Sequence, residues 1–177
     1  MRTKALALRS TTVAALAIAV DQALKAYVRQ SLALCPAPPV SGCDRLDLAG
    51  PLGFVRVENA GSAFGFLQGL WLWLLLAALG ILLVPLYGRR LGLAGWKAPL
   101  AVGLQVGGAL ANLADRLLYG GVTDFIDLGH GPIFNPADVA LAIGMALAVR
   151  ALLRRRASAA AVKPTSPALA GDGSEER

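Results

Sequence analysis

Four apolar stretches, at about 11–29, 67–87, 98–118 and 136–153, dominate the sequence, each of about the length a helix needs to cross a bilayer. Backbone groups in hydrocarbon must be satisfied within the chain, so four such stretches commit it to a helical bundle rather than an open sheet. A hydrophobic share of 56% over 177 residues, with positive mean hydropathy, also exceeds what one soluble core of this size holds. The expected fold class is an all-α membrane protein with four transmembrane helices and a small extracytoplasmic β lobe.

The formal net charge is +6, which in a soluble domain would suggest a nucleic-acid partner. Here the basic residues form three short clusters beside apolar stretches: Arg2, Lys4, Arg9; Arg89, Arg90, Lys97; and Arg150, Arg154, Arg155, Arg156. No aromatic-basic patch accompanies them, so no nucleic acid is expected. The clusters lie at alternate boundaries, and the positive-inside rule then puts both termini and the middle loop in the cytoplasm.

The first stretch follows a basic head, and alone it would resemble a secretory signal peptide cleaved near residue 20. The apolar pattern resumes through Ala23, Leu24, Ala26, Tyr27 and Val28, which favours a retained span. Inside it Asp21 and Lys25 are four apart and share a helix face, where they can neutralise each other or brace a polar site. Residues 30–66 are the expected lobe: prolines and glycines break any helix, and Phe54-Val-Arg-Val-Glu58 alternates as a half-exposed strand does. Cys35 and Cys43 fall in this lobe without metal-ligand spacing, so a disulfide and two free thiols both remain open. The lobe ends in the small-residue turn Asn59-Ala-Gly-Ser-Ala-Phe-Gly65, where Gly61 can take a positive φ.

Trp71, Trp73 and Tyr87 flank the second span as interfacial aromatics do. In the third, Gly103, Gly107 and Ala111 offer a small-residue face for close packing. Residues 1–156 form the expected membrane domain, and 157–177, rich in Ala, Pro, Ser, Gly and charge, an expected disordered cytoplasmic tail.

Function concentrates in residues 107–138. Four carboxylates (Asp115, Asp124, Asp127, Asp138), Asn112, Arg116 and Asn135 gather there, between two spans. Ionisable groups at membrane depth cost about 2.5 to 3.5 kcal/mol each, which asks for a function. There is no HExxH, no glycine-rich phosphate loop and no Ser/His or Cys/His pair, and the lone His130 sits in a glycine-flanked loop as a solvated residue. Two close carboxyl groups share one proton: the ionised one can activate water while the protonated one polarises a carbonyl. Asp124, in the loop after the third span, and Asp138, in the first turn of the fourth, are the expected pair. Asn135 as N-cap, Pro136 at the first helical position and Asp138 at the third also make a capping box. The two roles are compatible, because a helix N-terminus favours the anion; Asp138 is then the more easily ionised partner and Asp124 the proton holder.

These motifs resemble a known family. Asn59-Ala-Gly-Ser-Ala-Phe64, Gly107-Gly-Ala-Leu-Ala-Asn112 with Asp115-Arg116, Gly121-Val-Thr-Asp-Phe125 and Phe134-Asn-Pro-Ala-Asp138, with Asp21 and Lys25 upstream, closely resemble bacterial lipoprotein signal peptidase, or signal peptidase II. The resemblance implies a four-helix aspartyl endopeptidase of the bacterial inner membrane, without cofactor or metal. Its substrate would be a prolipoprotein already carrying diacylglycerol, cut just before the lipidated cysteine. Membrane lipid and the inhibitor globomycin are the other implied partners. It also implies Asp124 and Asp138 as catalytic, Asn59, Gly61, Asn112, Arg116 and Asn135 as pocket-lining or dyad-supporting, Asp21, Lys25 and Asp115 as supporting, and Asp127 as peripheral.

Ala111, Ser62 and Pro136 depart from the family's usual residues, and only fourteen positions separate the two aspartates. The alternatives are a small cation-binding transporter, disfavoured by the missing inverted repeat, a structural subunit assembling through the Gly103, Gly107, Ala111 face, and an intramembrane aspartyl protease cutting transmembrane helices, whose Gly-x-Gly-Asp motif is absent.

Overall fold

The structure of the chain is a computed structural model, and it describes residues 2–36, 42–60 and 97–161. The expected second span at 67–87, the basic pair Arg89 and Arg90, and Gly61 lie outside the described residues.

Helix α1 runs from Arg2 to Ser31, and its stretch Lys4–Ser31 is long and apolar enough to cross a membrane by length and composition. The apolar run and its continuation past Asp21 are thus one uninterrupted helix. Three strands follow in the lobe: β1 (Leu34–Cys35), β2 (Arg45–Ala49) and β3 (Leu52–Asn59). Helix α2 (Lys97–Tyr119) runs through the apolar stretch at 98–118. Strand β4 (Val122–Asp127) and helix α3 (Pro136–Ala161) complete the described chain.

Two expectations need correction. Asp124 is not in a loop: β4 is a strand, antiparallel to β3, with Val57 opposite Asp124 and Asn59 opposite Val122. Helix α3 also continues to Ala161, past the boundary expected at 157. Its last turns repeat Arg and Ala, both good helix formers, so local propensity extends the helix beyond its apolar part.

The sheet has β3 at its centre, paired in parallel with β1 and antiparallel with β2 and β4. Cys35 and Cys43 are joined in a disulfide, resolving the open alternative, and Cys35 sits opposite Val57 on β3. At the hairpin end Arg45 ties the strands together, bonding Asp47, Asp127 and the Pro51 carbonyl. Its guanidinium covers Gly53, where a β-carbon would come within 2.6 Å of Arg45 Nε.

The helices approach closely because small residues line their contacts. A β-carbon on Gly103 would fall 2.5 Å from Val13 Cβ, and one on Gly107 2.8 Å from the Ala14 carbonyl oxygen. The small-residue face of α2 is therefore occupied by α1 of the same chain, which removes the surface that a structural-subunit reading required. On its other side α2 meets α3: a β-carbon on Gly108 would fall 2.6 Å from the Ala137 carbonyl oxygen. Exposed Leu16, Val20, Leu110, Leu117, Val139, Ile143 and Val149 face outward from the three helices.

Candidate active site

The first turn of α3 is the structural anchor. Pro136 has no N–H to satisfy, and the Ala137 amide donates to Asp21 Oδ1 at 2.9 Å. The Asp138 amide donates to Asn135 Oδ1 at 3.0 Å, and the Asn135 amide returns a bond to Asp138 Oδ2 at 3.2 Å. This is the reciprocal capping box expected from the sequence, with α1 supplying one further acceptor.

Asn135 does more than cap. Its side-chain Nδ2 donates to Asp124 Oδ1 at 2.5 Å, so one buried residue bonds both aspartates. Asn59, the last residue of β3, donates to the other Asp124 oxygen at 2.9 Å. Asn112 on α2 donates from Nδ2 to Asp138 Oδ1 at 2.9 Å. Three amides thus converge on two carboxylates, each carried by a different element.

Asp124 is buried, and loss of solvent is the main reason its carboxyl is pushed up to about 6, with the neighbouring Asp138 charge adding to the rise. Bonds from Asn59 and Asn135 and the more distant Lys25 charge oppose it without cancelling it. Arg116 lies close enough to feel both Asp124 and Asp138, and its guanidinium donates to the Asn112 carbonyl at 3.1 Å.

Behind the pair is a buried ionic network. Lys25 Nζ contacts Asp21 Oδ2 at 2.8 Å, Asp115 Oδ2 at 2.9 Å and Asn112 Oδ1 at 2.8 Å. Arg29 bonds Asp115 Oδ1 at 2.7 Å, and Gln22 donates to the same oxygen at 3.0 Å. Lys25, Asp21 and Asp115 are 0% exposed. Buried charges are tolerated only when paired, and two cations against two anions leave no net charge here.

Of the residues singled out from the sequence, Asn59, Asn112, Arg116, Asp124, Asn135 and Asp138 come together in one site, and Asp21, Lys25 and Asp115 form the layer behind. Asp127 stands apart, bonded to Arg45 and to the Gly129 amide, and His130 is exposed. Gln22, Arg29 and Thr123 were not foreseen. Arg29 reaches from α1 to Thr123 Oγ1 at 2.9 Å and stacks on Tyr119 at 3.9 Å, and Thr123 donates its amide to Asp115. A signal for two of them existed: Gln22 and Arg29 share the helix face of Asp21 and Lys25, at spacings a polar stripe repeats.

Comparison with known proteins places these residues in context. The family model described as signal peptidase (SPase) II matches residues 13–154. A Syntrophomonas wolfei protein named lipoprotein signal peptidase is 45% identical over 98 residues, 55% of this chain and 65% of its own length. That match spans just under two thirds of the relative. Proteins of the same name from Nitratidesulfovibrio vulgaris and Brevibacillus brevis are each 34% identical, covering 80% and 76% of this chain and 87% and 88% of theirs. A solved bacterial membrane enzyme superposes with a TM-score of 0.70 at 26% identity, over 90% of this chain and 93% of that one. A second gives 0.68 at 28% identity, over 82% and 92%.

Proposed function

Because this chain belongs to the signal peptidase II family, we propose that it is an aspartyl endopeptidase of the bacterial inner membrane that removes signal peptides from diacylglyceryl-modified prolipoproteins. Cleavage falls on the N-terminal side of the lipidated cysteine. Asp124 and Asp138 do the chemistry, without metal or covalent intermediate.

The observation that carries this reading is the shared grip of Asn135, whose side-chain amide bonds Asp124 while its backbone amide bonds Asp138. Held by one residue, the two carboxyl groups are close enough for the Asp138 charge to raise the Asp124 carboxyl. Asp138, in the first turn of a helix, serves as the base, and Asp124, buried and pushed up to about 6, supplies the proton. Asp138 takes a proton from water as the oxygen attacks the scissile carbonyl, and the Asp124 hydroxyl donates to the carbonyl oxygen. On collapse of the gem-diol intermediate, the proton held by Asp138 passes to the leaving amine, and one hydroxyl of the intermediate returns its proton to Asp124 as the new carbonyl forms.

Four spans at about 11–29, 67–87, 98–118 and 136–153 carry the site, with residues 1–156 as one membrane domain. The basic clusters orient both termini and the tail to the cytoplasm and the site toward the extracytoplasmic surface. Asn59, Gly61, Asn112, Arg116 and Asn135 line or support the pocket, which membrane lipid and globomycin would also contact.

The test is cleavage of a diacylglyceryl-modified prolipoprotein by purified protein, beside Asp124→Asn and Asp138→Asn. Each variant should lose about 10²- to 10⁴-fold in rate. Cleavage by either at the wild-type rate removes the dyad, and full activity on unlipidated precursor removes the lipid requirement.

A further inference from the structure

Resting on the dyad reading above, we propose that Lys25 is a positioning residue, whose ammonium fixes the Asn112 amide so that a hydrogen-bond donor, and never an acceptor, faces Asp138.

An ammonium has three donors and no acceptor, so whichever Asn112 atom meets it must be the oxygen. The three Lys25 contacts at 2.8 to 2.9 Å use all three donors, on Asp21, Asp115 and Asn112. With Oδ1 held by Lys25, the Asn112 nitrogen is left for Asp138, where it donates at 2.9 Å. Turning the amide over would replace two attractive contacts with two repulsive ones. Lys25 is 0% exposed, so no solvent competes for it. A donor to a carboxylate favours its charged form, which is the form the water-activating member needs.

Neutralising the network does not require the bond to Asn112. Asp21 and Asp115 are matched in charge by Lys25 and Arg29, and the third donor of Lys25 is spent on a neutral amide. The same helix turn also fixes α3: Asp21 Oδ1 accepts the Ala137 amide, one residue before Asp138. Among the described residues, Arg116 from α2 and Asp124 from β4 interact with the Asp138 charge, and Asp21 and Lys25 from α1 and Asp115 from α2 form the network behind. Lys25 reaches it through Asn112.

A double-mutant cycle on prolipoprotein cleavage tests the relay, using Lys25→Met, Asn112→Leu and the two combined. Each single change should lower kcat about ten- to a hundredfold with KM nearly unchanged, and the pair no more than the worse single change. Independent, multiplying losses overturn the proposal. Should Lys25→Met not fold, Asn112→Asp takes its place, because it leaves every contact of Lys25 an acceptor. The introduced carboxyl can donate to Asp138 only when protonated, so its activity optimum should move to lower pH than wild type. An unmoved optimum overturns the relay. Wild-type activity in an Asp138→Asn control overturns the dyad reading instead, and the positioning role falls with it.

Discussion

Asn135 and Asp124 are joined by a 2.5 Å hydrogen bond from the Asn135 amide to Asp124 Oδ1, although one caps a helix and the other lies on a strand. The cap of α3 is therefore also the spacer of the aspartate pair.

This makes Asn135→Ala costly in two separable ways. Loss of the cap should lower stability by about 1 kcal/mol, as N-cap truncations do. Loss of the bond to Asp124 should lower kcat by roughly tenfold or more, since a buried acceptor loses its partner. Asn135→Ser restores an oxygen for the Asp138 amide but cannot reach Asp124. It should regain most of the stability, read by reversible unfolding in detergent, and little of the rate. Equal recovery of both would separate the cap from the chemistry and sink this account.

The Asp124 carboxyl gives a pH dependence of definite sign. Its folded value of about 6 lies above the ordinary 3.8, so the folded state binds the proton more tightly than the unfolded chain. Its contribution to stability is fully present below about 3.8 and is lost as pH rises through about 6. At 1.36 kcal/mol per unit, the loss across that window is on the order of 3 kcal/mol. Asp124→Asn lacks the titrating group, so relative to wild type it should be more stable at pH 7 than at pH 4. Unfolding midpoints measured at both pH values check this; a constant difference would place the shift elsewhere.

How much of this was legible beforehand follows from the range of each contact. Asp21 and Lys25 are one helical turn apart, so their pairing could be read from spacing alone. The capping box of Asn135 and Asp138 was equally local. The third partner, Asp115, comes from a helix about ninety positions downstream, which periodicity on one helix does not reach. Strand β4 is not legible as a strand because Val122-Thr-Asp-Phe-Ile-Asp127 is buried on both faces and so shows no alternation of apolar with polar. The family motif identified Asp124 without its strand; only the register, Val57 opposite Asp124, shows how the lobe holds it.

Gly108 should be among the least replaceable residues of α2. A β-carbon there would come 2.6 Å from the Ala137 carbonyl oxygen and 2.9 Å from Leu141 Cγ, and the first of these is backbone that cannot turn aside. Gly108→Ala must therefore push α3 away from α2 one turn before Asn112, which bonds Asp138 across the same contact. A destabilisation of about 1 to 3 kcal/mol is expected from overpacking. Activity should fall with it, because the donor and its carboxylate separate. Leu110→Ala, at an outward-facing position on the same helix, serves as the control, with a change within about 0.5 kcal/mol.

The disulfide stands on the same rung of the sheet as Asp124: Cys35 of β1 is opposite Val57 of β3, and Val57 is opposite Asp124 of β4. Closing a loop of eight positions should contribute roughly 2.5 kcal/mol by restricting the unfolded chain. Because β1 is only two residues long and pairs, among the described residues, with β3 alone, ladder bonds hold it weakly. Replacing both cysteines with Ser should therefore speed amide exchange first at Leu34 and Cys35 and then along β3, while α1 and α2, joined by the Lys25 network, keep their protection. Asn59, which ends β3 and donates to Asp124, is the route from this loosening to catalysis. A moderate fall in kcat, at most about tenfold, is expected with the aspartates untouched. Unchanged exchange along β3 after the replacement would show that pairing with β2 and β4 holds the strand without the cross-link.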